Sequence, residues 1–393
     1  MSLGKDWRSV RIGELGAIVT GGTPPDGDSP RFVGNLPFIT PTDLNEGTRT
    51  PDVTRFLSDD AALALSRRTL PAHSVCFTCI GATIGKACLT RDPAITNQQI
   101  NSIVVDQSQH DPAFVYYRLV ADRERIKAQA GGAATPIISK GSFKQVIVAM
   151  PPLPTQRKVA AILSAYDDLI ENNNRRIKLL EEMAQRIYRE WFVDFRYPGH
   201  ESVPLVDSEL GPIPEEWAVR RLGDVVELIY GKALKAGVRR NGPVNVFGSG
   251  GLIGHHDQSM VDGPGIIVGR KGNVGSIHWS NEAFFAIDTT YWVRSSIPLT
   301  YCYYALDEME FLDSHAAVPG LSREQAYSLP LLIPASDSVA RFDRIISEVF
   351  AFRHGVENAI ATLRSTRDLL LPRLISGEVD VTDLNIAIPD EAA

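Results

Sequence analysis

The second half of the chain repeats the first, and this repeat constrains the fold more than any other feature of the sequence. Residues 7–14 (WRSVRIGE) align with residues 217–224 (WAVRRLGD), and Gly21 aligns with Gly231. Further matches follow in the same order, pairing residues 81–86, 94–98 and 116–117 with residues 271–276, 286–290 and 303–304. One such match could arise by chance, but a series in one order indicates two copies of one module.

Each copy is predicted to contain short strands followed by one long helix. Strand patterns, separated by Gly- and Pro-rich turns, occur at residues 38–40, 74–80, 100–105, 265–268 and 290–293. The pattern becomes helical after Pro154 and again near Ser336. The polar residues Thr155 and Ser336 are acceptable first residues for these helices.

Both predicted helices carry a heptad pattern of apolar residues, which we call the helix seam. It comprises Val159, Leu163, Tyr166, Ile170, Asn173, Ile177 and Leu180 in the first helix, and Phe342, Ile345, Val349, Phe352, Val356 and Leu363 in the second. A heptad pattern needs a helical partner, and the other helix of the same chain is the simplest one. The alternative is that each amphipathic helix lies on its own domain.

These patterns predict an α+β fold. Two mostly β domains in tandem are separated by two long helices, which form an intramolecular antiparallel coiled coil with pseudo-twofold symmetry. The predicted segments are a first domain at 1–153, a central helix at 154–200, a second domain at 201–335, a second helix at 336–376 and an acidic tail at 377–393. A chain of 393 residues is long enough for two or three domains.

The net charge of −7 does not by itself favour binding to nucleic acid. The tail, however, carries five acidic residues and no basic one, so the rest of the chain carries −7 + 5 = −2. These acidic residues are Glu378, Asp380, Asp383, Asp390 and Glu391. A nearly balanced body can still present a basic face.

Four cysteines in a chain of this length do not resemble a disulfide framework, and no stretch is apolar enough to cross a membrane. We therefore expect a cytoplasmic protein without a membrane partner. His73, Cys76, Cys79 and Cys88 could be drawn as zinc ligands. The strand alternation around them would put Cys76 and Cys79 on opposite faces, which favours packed thiols and no metal.

Catalytic motifs are missing from the sequence, so no catalytic residue is predicted. A methyltransferase would need a Gly-rich nucleotide turn and an Asn/Asp-Pro-Pro-aromatic loop, and Asp111-Pro112 reads instead as the start of a helix. A nuclease would need clustered acidic residues, and a motor would need a phosphate loop ending in Gly-Lys-Ser/Thr. The sequence therefore favours a binding protein over an enzyme.

Three phrases at the ends of the modules carry a resemblance to a known family. They are residues 151–157 (PPLPTQR), 191–195 (WFVDF) and 370–378 (LLPRLISGE), supported inside the domains by residues 21–24, 38–44, 247–254 and 269–272. With the repeat, they make the chain resemble type I restriction-modification specificity subunits over nearly its whole length. Thr155 departs from the family, in which Glu is usual, and this removes a possible capping carboxylate.

The resemblance implies a non-catalytic subunit that binds double-stranded DNA. Each domain would recognise one part of a split, asymmetric site, while the helices set the gap and dock methylation subunits, of which two are expected. Restriction subunits are further implied partners. No cofactor is expected on this chain, since S-adenosylmethionine, ATP and Mg are implied for the partner subunits.

Loops with directional polar groups or cations are the candidate DNA contacts. They comprise Lys86, Asn97, Gln98, Gln99 and Lys140 in the first copy, and Ser249, Arg270, Lys271, Thr289, Thr290 and Arg323 in the second. The amides could instead cap a turn, the glycines beside these residues could serve tight turns only, and Lys140 and Arg323 could be solvated surface charges.

Because the two loop sets differ, the predicted DNA target is bipartite and non-palindromic. Its two parts would be separated by an unread spacer of about half a helical turn or more, on a turn of roughly 10 bp. An alternative function is that of a recognition or helical scaffold subunit in another DNA-modifying or protein-interaction system.

Overall fold

The computed structural model describes residues 6–24, 31–45, 47–131, 135–311 and 320–388. Asp390 and Glu391 of the predicted acidic tail lie outside these residues. The chain divides into two compact units, which we call unit 1 (residues 1–174 and 359–393) and unit 2 (residues 175–358). None of the described helices is both long and apolar enough to span a membrane.

The described residues of unit 1 form nine strands and four short helices, to which parts of the two long helices are added. The strands are β1 (Arg8–Arg11), β2 (Gly16–Thr20), β3 (Leu36–Ile39), β4 (Phe56–Leu57), β5 (Val75–Thr78), β6 (Ala87–Leu89), β7 (Ile95–Thr96), β8 (Ile100–Val105) and β9 (Ile147–Met150). The helices are α1 (Asp59–Ala64), α2 (Pro112–Ala121), α3 (Arg123–Lys127), α4 (Lys140–Gln145) and the long α5 (Leu153–Tyr188). Short 3-10 turns cover Ile12–Glu14, Ser66–Arg68 and Gly81–Thr83.

Unit 2 repeats most of this series of elements and adds the strand pair β10-β11. Its strands are β10 (Leu205–Val206), β11 (Ile213–Pro214), β12 (Ala218–Arg221), β13 (Val226–Tyr230), β14 (Val244–Gly248), β15 (Gly251–His256), β16 (Gly265–Gly269), β17 (Ile277–Ser280), β18 (Phe284–Ala286), β19 (Thr290–Ser295) and β20 (Pro330–Ile333). Its helices are α6 (Leu222–Val225), α7 (Leu299–Asp307), α8 (Arg323–Ser328) and the long α9 (Ser336–Ser376). One π-helical turn, Arg189–Val193, follows α5, and 3-10 turns cover His200–Ser202 and Ala236–Val238.

Corresponding strands occupy corresponding places in the two units. The four-stranded sheet has the order β2-β8-β5-β6 in unit 1 and β13-β19-β16-β17 in unit 2. The three-stranded sheet has the order β4-β3-β7 in unit 1 and β15-β14-β18 in unit 2, and the pair β1-β9 matches β12-β20. The predicted α+β class, with two β-rich repeats and two long helices, is confirmed.

Local signals in the sequence explain where several elements begin. The Asp111 side chain accepts a hydrogen bond from the Phe114 backbone at 2.8 Å and caps α2, with Pro112 in the first turn. The alternating apolar and polar pattern around β5 sends Cys76 and Cys79 into different hydrophobic clusters. Burial raises the pKa of Cys79 to about 11, so this thiol stays protonated at neutral pH.

The two long helices run antiparallel within each unit. In unit 1, Asp167 of α5 forms an ion pair with Arg367 of α9, and Val159 shares a hydrophobic core with Leu374. In unit 2, Glu181 of α5 forms an ion pair with Arg353 of α9, while the rings of Tyr188 and Phe342 lie 6.1 Å apart. In both units, residue numbers therefore increase along α5 in the direction in which they decrease along α9. This agrees with the expected helix pairing.

The seam of α9 differs in part from the prediction. Val159, Leu163, Ile170, Phe342, Val349 and Val356 are buried, and Tyr166, Asn173, Ile177, Leu180 and Leu363 are half-buried. Ile345 and Phe352, however, are 38% and 58% exposed. Ile346 is buried and Arg353 is half-buried in their place, because the face of α9 toward α5 lies one residue further along at these two turns.

The segment after α9 packs onto the beginning of unit 1. Gly377 has a left-handed backbone (φ +77°), and a Cβ there would lie 3.1 Å from the Trp7 ring. Val381 is buried in the same core as Val159. Lys158 Nζ donates a hydrogen bond to the Thr382 carbonyl at 2.7 Å. Residues 377–388 therefore belong to the folded body of unit 1.

Candidate nucleic-acid interface

In unit 1 the candidate amides lie on the loop between β7 and β8, against the loop that follows β2. The Gly21 and Gly22 amides donate hydrogen bonds to the carbonyls of Ile100 and Thr96, at 3.1 and 2.8 Å. A Cβ on Gly21 would lie 2.0 Å from the Asn97 carbonyl oxygen. Only glycine allows the two loops to approach so closely.

The three amides of this loop have different roles. Asn97 Oδ1 accepts from the Gln99 backbone at 3.0 Å, and Asn97 Nδ2 donates to Gln99 Oε1 at 3.1 Å. Asn97 therefore caps its own turn, as the alternative interpretation of this sequence expected. Gln98 is exposed, and its Oε1 accepts from the Thr23 hydroxyl, which leaves the Gln98 amide nitrogen directed to no protein acceptor among the described residues.

The two lysines of unit 1 lie elsewhere on its loops. Lys86 is half-buried and Nζ donates to the Pro41 carbonyl at 3.3 Å. Lys140 is exposed in the first turn of α4, next to the capping residue Ser139. The sequence analysis did not identify Arg68, which donates to the Gly21 carbonyl and so supports the Gly21–Gly22 loop.

In unit 2 two arginines stack on one tyrosine. The guanidinium carbons of Arg270 and Arg323 lie 5.1 and 4.5 Å from the centre of the Tyr230 ring, which is 45% exposed. Arg270 Nε and Nη2 donate to the Asp288 carbonyl at 3.2 and 2.9 Å. Within the described residues neither arginine has a carboxylate within 4.0 Å, so both positive charges are available to a ligand.

Three loops converge to hold these arginines. The Arg270 and Lys271 amides donate to the Thr289 carbonyl at 2.9 and 3.1 Å, and the Leu321 amide donates to the Arg270 carbonyl at 2.8 Å. Tyr291 OH donates to the Leu321 carbonyl at 3.0 Å. Burial, with a smaller effect of Tyr230, raises the pKa of Tyr291 to about 12, so this hydroxyl remains a donor at neutral pH.

The remaining candidates of unit 2 differ in exposure. Lys271 is exposed beside the arginines, and Thr289 is half-buried. Thr290 is buried, and its hydroxyl donates to the Ile287 carbonyl at 2.8 Å, which stabilises the turn. The Ser249 carbonyl accepts from Ser276 Oγ and His278 Nε2, at 2.5 and 3.1 Å, so this loop is fixed to the neighbouring hairpin.

Equivalent positions of the two units carry different chemistry. Thr20 and Asn101 face each other across β2 and β8 and are joined by a 2.7 Å hydrogen bond. Tyr230 and Tyr291 face each other at the corresponding place across β13 and β19. Tyr230 was missed as a candidate, although the repeat alignment places it immediately before Gly231, the counterpart of Gly21. The described residues contain no group of three or more His, Cys, Asp or Glu side chains suited to a metal ion.

A second exposed surface lies on the long helices. Leu169 of α5 and Phe352 of α9 are 51% and 58% exposed, and they occupy equivalent positions, 183 residues apart. One heptad earlier, Ile162 and Ile345 are related by the same shift, the first partly buried and the second 38% exposed. Each unit therefore carries the same short apolar stripe, which we call the helix stripe.

The duplicated β-rich module and the two long helices define a class of proteins built from two structural repeats, here with a different polar edge in each copy. The family model described as type I restriction modification DNA specificity domain matches residues 4–182 and 214–349. The chain belongs to this family, and the resemblance inferred from its motifs is confirmed.

Similar proteins carry the name of specificity subunits. The chain is 25% identical to the type I restriction enzyme MjaIX specificity subunit of Methanocaldococcus jannaschii over 415 aligned residues, covering 97% of this chain and 95% of that protein. It is 31% identical to the HindI specificity subunit of Haemophilus influenzae over 176 residues, covering 43% and 38%. The fold matches the crystal structure of a type I restriction-modification S subunit from M. genitalium with a TM-score of 0.64, 16% identity, and coverage of 95% and 98%.

Proposed function

We propose that this chain is the DNA-binding specificity subunit of a type I restriction-modification complex and that it reads a bipartite, asymmetric site in double-stranded DNA. The observation that carries the proposal is the contrast between the two units. They share one topology, yet unit 1 exposes an amide at Gln98, while unit 2 carries on Tyr230 the half-buried Arg270 and the exposed Arg323, neither paired with a carboxylate among the described residues. Two similar modules with different edges suit a target whose two parts differ.

The chemistry of each edge suggests the bases that it contacts. Glutamine can form two hydrogen bonds with adenine, and arginine can form two with guanine. Gln98 is therefore assigned to an adenine in one half-site, and Arg270 or Arg323 to a guanine in the other. Lys86, Lys140 and Lys271 are assigned to phosphates, where cations position the duplex without reading its sequence.

The duplicated helix stripe supports the docking of two methylation subunits in equivalent ways. An exposed apolar stripe at the same place in both units offers the same surface twice. Restriction subunits would then join the complex of DNA, specificity subunit and methylation subunits. In this scheme S-adenosylmethionine, ATP and Mg are bound by the partners, and this chain, located in the cytoplasm, contributes specificity but no catalytic group.

Methylome sequencing tests the assignment of the two units. Cells expressing the chain with its methylation subunit should acquire one bipartite, non-palindromic methylated motif. Gln98→Ala should relax base preference in one half of that motif only, and Arg270→Ala in the other half only. Lys178 is exposed on α5 and is far in sequence from both edges. Lys178→Ala therefore serves as the control and should leave the motif unchanged.

Two outcomes would contradict the proposal. No methylation dependent on the chain would favour a scaffold that does not read DNA. A motif in which either substitution alters both halves equally would show that the units do not read separate parts.

A further inference from the structure

A buried ion pair lies in the helix seam of unit 1. Asp167 of α5 and Arg367 of α9 are only 6% and 8% exposed, and Arg367 Nη1 donates to Asp167 Oδ1 at 2.5 Å. Tyr117 OH donates to the other carboxylate oxygen at 2.6 Å, and Arg367 Nη1 also donates to the Gly47 carbonyl at 2.9 Å. Arg367 also pairs with Asp368 of its own helix, with Nη2 2.9 Å from Asp368 Oδ1, whereas Arg367 is the one ion-pair partner of Asp167 among the described residues.

The equivalent place in unit 2 is apolar. The shift of 183 residues that relates the two helices maps Asp167 onto Phe350 and Arg367 onto Ala184. Phe350 and Ala184 are fully or almost fully buried, and both belong to the main core of unit 2. Tyr304, the counterpart of Tyr117, packs its ring against Phe350 with centroids 6.2 Å apart. The repeat is thus broken in its core at one pair of positions.

The helix register is the same on both sides of this difference. Glu181 lies fourteen residues after Asp167, and its partner Arg353 lies fourteen residues before Arg367. A pair of two α5 helices in this register would set Asp167 of one copy against Ala184 of the other. A pair of two α9 helices would set Arg367 against Phe350. A pair of two α5 helices would therefore leave Asp167 without its ion-pair partner, whereas Arg367 in a pair of two α9 helices would keep Asp368.

We propose that the Asp167–Arg367 pair makes the long helices select unlike partners, so that the seam of α5 accepts α9 and rejects α5 of a second copy. The Glu181–Arg353 pair acts in the same sense, because the repeat maps these residues onto Arg364 and Ile170, but it is the more exposed of the two pairs, with a Glu181 side chain that is 52% exposed. Selection matters during synthesis, because α5 is complete before α9 exists and neighbouring chains expose the same seam. An uncompensated buried charge is among the most costly defects in a protein core.

Refolding of the full-length chain with a reporter thiol tests this selectivity. In a pair of two α5 helices, residue 176, nine positions after Asp167, faces residue 175 of the other copy, nine positions before Ala184. The two copies of residue 176 are therefore only one position apart along the pair. Arg176→Cys on each chain would form a disulfide between like helices. All four native cysteines are buried, so the reporter thiol reacts first. Chains with the reporter are unfolded in urea with a reductant and refolded together. They are oxidised mildly only after refolding, when the four native cysteines are buried again, and are then analysed for disulfide-linked dimers.

Three versions of the reporter chain are compared. The first keeps Asp167 and Arg367 and should give only traces of dimer. The second carries Asp167→Phe with Arg367→Ala, the residues that unit 2 has at these positions, and should give about tenfold more dimer or above. The third carries Asp167→Asn with Arg367→Gln, which keeps polar side chains at both positions, removes the charges and should give an intermediate yield.

Samples of each version that were never unfolded are oxidised in the same way. Their dimer yield measures the disulfides formed by chance collisions and is subtracted. If the Phe/Ala version does not refold, the Asn/Gln version decides the result. Equal dimer yields with and without the ion pair would overturn the proposal, as would abundant dimer in the version that keeps it. The outcome is independent of DNA binding and therefore of the proposed function.

Discussion

Tyr230 gives the arginines of unit 2 a fixed platform at the scale of single residues. Arg270 is held by the ring and by the Asp288 carbonyl, which orders its side chain before any ligand binds. The sequence identified Arg270 and Arg323 as candidates from their neighbours and their place in the repeat. It could not reveal that both share one ring, because they are 53 positions apart (323 − 270) and meet only through tertiary structure.

Arg270→Lys is predicted to weaken binding to the cognate DNA by about 1–3 kcal/mol, because lysine keeps the charge but loses the planar pair of donors. Binding is measured by gel shift with the chain in complex with its methylation subunit. Replacing the contacted guanine by 7-deazaguanine should weaken DNA binding by the wild-type chain by a similar amount. The same replacement should weaken binding by the Arg270→Lys variant little further. Arg294→Lys is the control, since Arg294 is already paired with Glu227. Independent, additive losses would show that Arg270 does not contact that base.

Gly21→Ala is predicted to destabilise the amide edge of unit 1. The added Cβ would lie 2.0 Å from a backbone oxygen, so the Gly21–Gly22 loop or the loop that carries Gln98 must move. We expect a loss of about 1–3 kcal/mol in stability, measured by thermal unfolding, together with weaker DNA binding. Gly131→Ala is the matched control, because a Cβ there meets no atom within 4 Å. Unchanged unfolding of Gly21→Ala would contradict the close loop approach.

At the scale of elements, the heptad spacing predicted the existence and approximate extent of both long helices. It located the first seam well and the second only in part. Arg353 lies at a position that faces α5, so a pattern of apolar residues takes its neighbour Phe352 instead and, seven residues earlier, Ile345 in place of Ile346. The repeat held the missing information, because a shift of 183 residues carries Leu163 onto Ile346 and Ile170 onto Arg353.

Neighbouring isoleucines of α9 give a direct test of this register. Ile346→Ala should cost about 2–5 kcal/mol of stability, because Ile346 is fully buried and its truncation leaves a cavity. Ile345→Ala removes the same atoms from an exposed site and should cost well under half as much. Urea unfolding of the two variants, side by side, measures the difference. Equal costs would place the two residues in similar surroundings.

The helix stripe predicts where partner proteins dock. Phe352→Ser and Leu169→Ser together should reduce the binding of methylation subunits at both equivalent surfaces, with little effect on unfolding since both side chains are largely exposed. Analytical ultracentrifugation of the mixed subunits reports the stoichiometry. Leu369→Ser is the control, because Leu369 is 69% exposed on α9 but maps onto Arg186, outside the duplicated stripe. Complexes of unchanged composition would rule the stripe out as a docking surface.

At the scale of the whole molecule, the alignment of the two halves predicted that they share one fold, and the strand orders agree. The different edges could be inferred only in outline. Thr290 carries the right chemistry for DNA but is buried at the start of β19, whereas Tyr230 lies at the edge without a recognisable motif. Sequence patterns report periodic burial in regular elements far better than exposure in loops.

The charge distribution predicts how binding depends on salt. Although the chain carries −7 overall, the candidate edges are basic, so the affinity for DNA should fall steeply as salt rises. Lys271→Gln should reduce the slope of log K against log salt by about 1 and weaken all sequences equally, as expected for a phosphate contact. Titrations at several salt concentrations measure this, with Lys178→Gln as the control. An unchanged slope would remove Lys271 from the interface.

The packing of residues 377–388 against Trp7 and Lys158 couples distant parts of the gene product. A stop codon just after α9 would leave every strand of both modules in place. It would nevertheless strip the buried Val381 from beside Val159 and expose the ring of Trp7. A lesion in the codons that follow α9 would therefore destabilise unit 1, while unit 2 would keep its own core.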